Sequence, residues 1–218
     1  MNKKNSIVVV VIFAFLVSFL TLGNWGEPIS KLEKTTENIT QLDNFETLLG
    51  TTWENNKEDP SSAEISFYID GLKDTKGFFE DFEILFKVSE NSPEDAKIKV
   101  SIDVSSINTD NSTRDKALME SDFFYTEKFP LIEFYSKNLK KNEDEFIANG
   151  LLNMMGKRNQ LSFNFKHSGI TKNKKGIKVA IFEGELEIDR TDFGMDPVTS
   201  VGNIVKINFY CELIEKLK

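Results

Sequence analysis

The chain has 218 residues, a net charge of −8 and a pI near 4.9, with one cysteine, one histidine and 19 phenylalanines. That length suits one domain with a sizeable core, and the acidic balance excludes partners met through clustered Lys and Arg, nucleic acid and anionic lipid heads among them. A lone Cys211 excludes an internal disulfide, and one His with one Cys cannot build the common zinc sites unless carboxylates supply most ligands. Phe outnumbers Tyr and Trp combined, so the aromatic content is apolar with few polar handles.

Met1 to Ser6 carries Lys3 and Lys4, and Ile7 to Leu22 is apolar, the pattern of a secretory signal. Export is therefore expected. Gly23-Asn24-Trp25-Gly26 offers no persuasive small-x-small cleavage site, which leaves an uncleaved membrane anchor open beside a cleaved signal over residues 1–24. Residues 25–60 are mostly polar, with apolar residues too sparse for an amphipathic helix; they read as a linker and an ambiguous stretch ending in a loop around Pro60.

From residue 61 to the end, period-2 alternation dominates. Ile65, Phe67 and Ile69 share one face, as do Phe82, Ile84, Phe86 and Val88, and then Ile98, Val100, Ile102 and Val104. Further strands are expected at Ile132 and Phe134, Phe146 to Met154, Leu161 to Phe165, Val179 to Ile188 and Val205 to Leu213, about eight in all. Apolar parity changes between Ile181 and Phe182, which predicts a bulge near Phe182. The connections are short and turn-like, so the sheet is antiparallel, either a sandwich or a closed barrel. His167 reads as a polar strand-end residue and Cys211 as a small buried hydrophobe.

One helix is expected from about Ser112 to Met119, capped by Asn111 or Ser112, with Asp115 in the first turn where negative charge suits the helix dipole. Asp189-Arg190-Thr191-Asp192-Phe193-Gly194 reads as a shaped turn, with Asp192 bonding its own backbone, Arg190 pairing with a carboxylate and Gly194 at positive φ. Its paired carboxylates are the only candidates for acid–base work, and no nucleophile or metal partner stands at recognisable spacing.

Several motifs stand in order: Ser101 to Thr109, Arg114-Asp115 with Leu118, Ser121-Asp122-Phe123-Phe124, Phe129-Pro130-Leu131-Ile132-Glu133-Phe134, Asn149-Gly150-Leu151-Leu152 with Gly156-Lys157, and Asp189 to Gly194. Together they resemble the YceI-like family over roughly Glu64 to Leu213. The resemblance implies an all-β fold, a single antiparallel eight-stranded lipocalin-like barrel that holds a polyisoprenoid chain, outside the cytoplasm, in the periplasm or extracellular space. It departs from the family where many relatives read His-Ser before the first strand and this chain has Ser61-Ser62-Ala63.

Inward side chains of such a barrel fill the lumen or line a cavity. The candidate lumen residues are Phe67, Phe82, Phe86, Val100, Ile102, Phe134, Phe146, Ala148, Gly150, Leu152, Met154, Phe163, Phe165 and Phe209, with Ala148 and Gly150 expected to leave room, and Arg114 is a candidate head-group contact. The expected function is non-catalytic binding of an isoprenoid lipid of quinone or polyprenyl type, for carriage or sequestration. A membrane would be the lipid source; no cofactor, metal or nucleic acid is expected, and the protein is a monomer or homodimer. Two rivals stand beside it: a filled barrel serving a membrane or redox partner, and an enzyme using Asp189, Arg190 and Asp192.

Overall fold

Alternating apolar side chains give almost every strand one dry face, and a sheet with one dry face can cover it by closing on itself. The computed structural model describes residues 32, 34, 45–72, 74–142 and 145–216. Among these, eleven antiparallel strands are β1 (Thr52–Asn55), β2 (Ala63–Gly71), β3 (Thr75–Phe79), β4 (Phe82–Lys87), β5 (Lys97–Asp103), β6 (Ile107–Asn108), β7 (Leu131–Asn142), β8 (Glu145–Met154), β9 (Lys157–Lys172), β10 (Lys178–Asp189) and β11 (Val201–Glu215). Helix α1 (Ser112–Met119) stands between β6 and β7.

The order β1-β4-β5-β7-β8-β9-β10-β11 returns to β1, so the sheet is a closed barrel of eight staves. The remaining three segments add none. β11 pairs with β1 at Leu213 to Glu215 and with β2 from Cys211 to Val201. β3 runs into β4, β5 into β6, and backbone bonds from Glu80 to Ser106 and from Asp103 to Asp81 carry the ladder across both kinks. Where β1 leaves β4, the Asn55 side chain replaces a backbone partner: its amide donates to Phe82 O (3.0 Å) and its oxygen accepts from Ile84 N (2.7 Å).

β8 and β9 are joined by Met155 and Gly156, both at positive φ, the requirement of a tight two-residue hairpin. The register shift falls opposite Phe182, as the parity change predicts, but the extra residue is Ser168 on β9, since Phe182 pairs with His167 and Ile181 with Gly169. β10 keeps one inward parity through Ala180, Phe182, Leu186 and Ile188. Val179 and Ile181 face outward and are buried with Tyr210 against Leu32 and Ile214, while Lys34 Nζ sits 4.7 Å from the Tyr210 ring. The sequence signal was therefore a second, external apolar cluster. His167 is likewise not at a strand end: it lies within β9, its ring 5.1 Å from Phe182 and 5.8 Å from Phe45.

The segment 25–60 is not all linker, which moves the start of the barrel earlier than residue 61. β1 belongs to the ring, and a 3-10 turn, Phe45–Leu48, closes one end. Phe45 lies 4.1 Å from Phe146 and 5.8 Å from Phe86, and Leu48, Trp53, Val88, Ala96 and Leu139 are buried with it. A lone ring at Phe45 leaves its stretch ambiguous in the sequence because its partners are more than forty residues away. Residues 1–24, with the signal or anchor reading, lie outside the described residues; no helix among the described residues is long and apolar enough to cross a membrane.

Removing that ring should open the closed end. Phe45→Ala is expected to lower the unfolding free energy by about 3–5 kcal/mol, as deletion of a buried aromatic side chain does, with equilibrium urea unfolding as the measurement; a loss under about 1 kcal/mol would mean Phe45 is not a plug.

Candidate functional site

The other end of the barrel is built differently. β6 pairs with β3 alone among the described strands, and between it and β7 the chain makes α1 and the turns to Pro130. Asn111 caps α1, its Oδ1 accepting from Thr113 N (3.1 Å) and Arg114 N (3.0 Å). α1 buries none of its residues fully, although Leu118 and Met119 pack against the core. Phe124 reaches back to Phe79, ring centroids 6.4 Å apart, and Phe129 covers Gly156, whose missing Cβ would lie 2.7 Å from its ring.

Beneath this lid lies a cavity of about 370 Å³. Its walls are apolar almost throughout, with Ser66, Thr75, Arg114, Arg190 and Cys211 the exceptions. Inward side chains around it, such as Val100, Leu161, Phe163, Ile207 and Phe209, are only partly buried, although the barrel surrounds them. An unfilled lumen explains that: they face space where close packing would otherwise place neighbours.

The sequence-derived lumen residues divide. Phe67, Phe86, Val100, Ile102, Phe134, Leu152, Met154, Phe163, Phe165 and Phe209 line the cavity. Phe82 is buried but outside it, and Phe146 belongs to the plug. Ala148 and Gly150 face inward as their parity requires, yet they leave no room. Ala148 is fully buried opposite Leu139 and Phe163, and a Cβ on Gly150 would lie 2.6 Å from the Phe134 ring and 2.4 Å from Tyr135 O. Large neighbours occupy the space that small residues vacate. Most lining residues outside the sequence-derived set are further inward strand residues, such as Ile65, Ile84, Ile132, Leu186 and Ile207; the rest come from the lid, Ala117, Leu118, Phe123 and Phe124, and from the turn and connection after β10, Arg190 and Met195. Phe123 and Phe124 stood in a quoted motif, but nothing in strand periodicity assigns a lid to a lumen.

Arg114 lines the cavity and is held by Thr109: its Nε donates to Thr109 Oγ1 (2.8 Å) and its Nη2 to Thr109 O (2.7 Å). Asp115 accepts from Thr109 N (3.0 Å). In the last motif it is Asp189, not Asp192, that bonds the backbone, accepting from Thr191 N (2.9 Å) and Thr191 Oγ1 (2.6 Å); these bonds hold its carboxyl below the usual carboxylate range. Among the described residues Arg190, 3% exposed, hydrogen-bonds to no carboxylate and instead donates to Gly202 O (2.9 Å) and Asp196 O (2.8 Å), tying down the β10–β11 connection. Gly194 ends the turn at φ 93°. The carboxylates are thus spent on a turn or turned outward, Asp192 being exposed. No cluster of potential metal ligands occurs among the described residues.

Gly150→Ala should cost roughly 1–3 kcal/mol by overpacking against the Tyr135 carbonyl and the Phe134 ring, read by chemical denaturation; an unchanged midpoint would show that both the ring and the β7 backbone give way. A second expectation concerns Cys211. Burial pushes its thiol up to about 12, so the folded protein keeps it protonated well above the ordinary thiol range. Folding is favoured by this while the unfolded thiol is also protonated, and that contribution fades as pH rises past the ordinary thiol value toward the folded one. At mildly alkaline pH a thiol-reactive probe should label Cys211 only as fast as the protein unfolds; fast labelling of folded protein would contradict it.

Comparison with known proteins agrees with this geometry. The family model for the YceI-like domain matches residues 57–213. Protein YceI of Escherichia coli O157:H7 is 34% identical over 119 residues, 55% of this chain and 62% of that protein. The UPF0312 protein plu2095 of Photorhabdus laumondii is 33% identical over 117 residues, 54% of this chain and 61% of that one. The chain thus spans about three fifths of the length of these curated relatives. Among solved structures, a Campylobacter jejuni YceI protein is 25% identical with a TM-score of 0.59, covering 67% of this chain and 87% of that one. A polyisoprenoid-binding domain from Saccharophagus degradans shares the fold at 11% identity, TM-score 0.56, covering 78% of this chain and 99% of that one.

Proposed function

The chain belongs to the YceI-like family, and we propose that it holds the isoprenoid tail of a quinone or polyprenyl lipid in its lumen, without catalysis, as a carrier or sequestering protein outside the cytoplasm. The cavity carries this reading: about 370 Å³ with an almost wholly apolar wall lies within the range of small-molecule sites. Binding of polyisoprenoid by the Saccharophagus degradans neighbour supports the tail chemistry, and the basic and apolar N-terminal stretch supports export.

Withdrawing each CH₂ from water is worth about 0.8 kcal/mol, so a short tail already has ample driving force. In a bilayer that gain has been made beforehand. Exchange between membrane and barrel is then nearly neutral in its hydrophobic part, which suits carriage and discriminates little among tails. At the lid, Arg114 is the group best placed to donate to a quinone carbonyl or phosphate oxygen.

Organic extraction of natively purified full-length protein, followed by mass spectrometry, should yield an isoprenoid lipid near one per protein. Ile207→Trp should expel it, placing a ring in the cavity with a stability change under about 1 kcal/mol because the space is open. A parent that never carries or takes up lipid, or a destabilised variant whose lumen proves full, would favour a filled-barrel interaction protein.

A further inference from the structure

Large hydrophobic side chains exposed to solvent are few, and three of them gather at the lid end. Leu72 is 87% exposed, Ile204 45% and Val198 37%. Leu72 is at the tip of the β2–β3 hairpin, and its N–H donates to Ser200 O (3.0 Å); Val201 N donates to Val198 O (2.9 Å), and Val201 pairs with Gly71. Hairpin and connection therefore form one edge, and Ile204 faces outward a few residues along β11, opposite Asp189.

The same two segments wall the cavity. Ile69 and Thr75 flank the hairpin, Val201 and Val205 follow the connection, and all four line the lumen. Lumen-lining side chains and the three exposed ones are therefore carried by the same two segments. The carboxylates Asp70, Asp74, Asp189 and Asp196 flank this edge, and Lys76 and Lys206 stand on β3 and β11 opposite Tyr68. Among the described residues such a rim carries no cationic excess to meet anionic head groups.

Resting on the lipid-binding reading above, the geometry points to this edge as a membrane-docking rim: Leu72, Val198 and Ile204 insert into the interface of a zwitterionic bilayer and bring the lumen to its lipid. Exposed apolar surface of this kind marks interaction sites, and interfacial insertion needs apolar tips rather than a basic patch when the lipid is neutral. Leu72 and Asp74, the described residues of the loop between β2 and β3, are exposed, so insertion demands no unfolding of the ladder behind them.

The test uses full-length protein, phosphatidylcholine vesicles carrying a short-chain ubiquinone, and two variants. Leu72→Asp with Val198→Asp alters the rim; Ile177→Asp alters an exposed apolar residue in the β9–β10 turn instead. The rim variant should take up quinone from vesicles about tenfold more slowly or worse and fail to float with them, since two apolar contacts with the interface are replaced by charges. It should still load fully from detergent micelles, and the control variant should match the parent throughout. Uptake and flotation unchanged in the rim variant, or slowed equally in the control, would overturn the rim. Flotation that strengthens on adding phosphatidylglycerol and collapses in salt would also overturn it, by showing electrostatic docking elsewhere. A parent that floats through the rim but loads no quinone even from micelles would leave docking standing and remove the lipid-binding reading.

Discussion

Everything in this barrel depends on how β11 closes the ring. Eleven of its fifteen residues, Ile204 to Ile214, pair along one edge with β10, and the opposite edge is longer than β1 or β2 alone can satisfy. The ladder is divided, β1 taking Leu213 to Glu215 and β2 taking Val205 to Cys211 and, past a bulge, Val201, with a loop between β1 and β2. An unpaired strand edge is costly and prone to association, so this division is a condition of closure rather than an ornament. The Asn55 amide repairs the adjoining gap on β4, standing in for the backbone of the residue that has left.

Closure fixes a lumen, and the two ends decide what becomes of it. At one, Phe45, Trp53, Phe146 and their neighbours pack rings to interior density. At the other, the staves β5 and β10 end in matching devices: Asp103 accepts from Ser105 N and Oγ as Asp189 accepts from Thr191 N and Oγ1. Each short acidic turn bends the chain off its strand without leaving backbone donors stranded. One delivers the chain toward the lid, the other to the connection anchored by Arg190. Polar groups at this end thus serve geometry first, and the wall between them stays dry.

Much of this was legible in the sequence because a pleated strand writes its burial in alternate residues. Phe146 to Met154 alternates in burial as its parity requires, and the helix from Ser112 to Met119 stands where its cap placed it. What failed was whatever depends on a partner remote in the chain. β1 and β6 are too short to alternate, and Phe45 gains meaning only against Phe146. Val179 and Ile181 mimic a bulge on β10 because apolar burial on the outer wall has the same signature as a shift on the inner one, whereas the shift that does lie opposite Phe182 has its extra residue, Ser168, on β9. Gly150 suggested emptiness, but room is set by what leans over a small residue, here the Phe134 ring.

A vessel plugged at Phe45 would, under the proposed function, be filled and emptied from its opposite end, which imposes an order on a chain-shaped guest. The end that enters first must leave last, and the guest can never be threaded through from one compartment to another. For a carrier of the kind proposed, loading and release would be the same path run in opposite senses, and direction would come from the relative supply of guest at the surfaces it visits. The depth from plug to lid also sets how much of a long guest is sheltered; what exceeds it stays at the entrance, where the rim and Arg114 are the surfaces it meets.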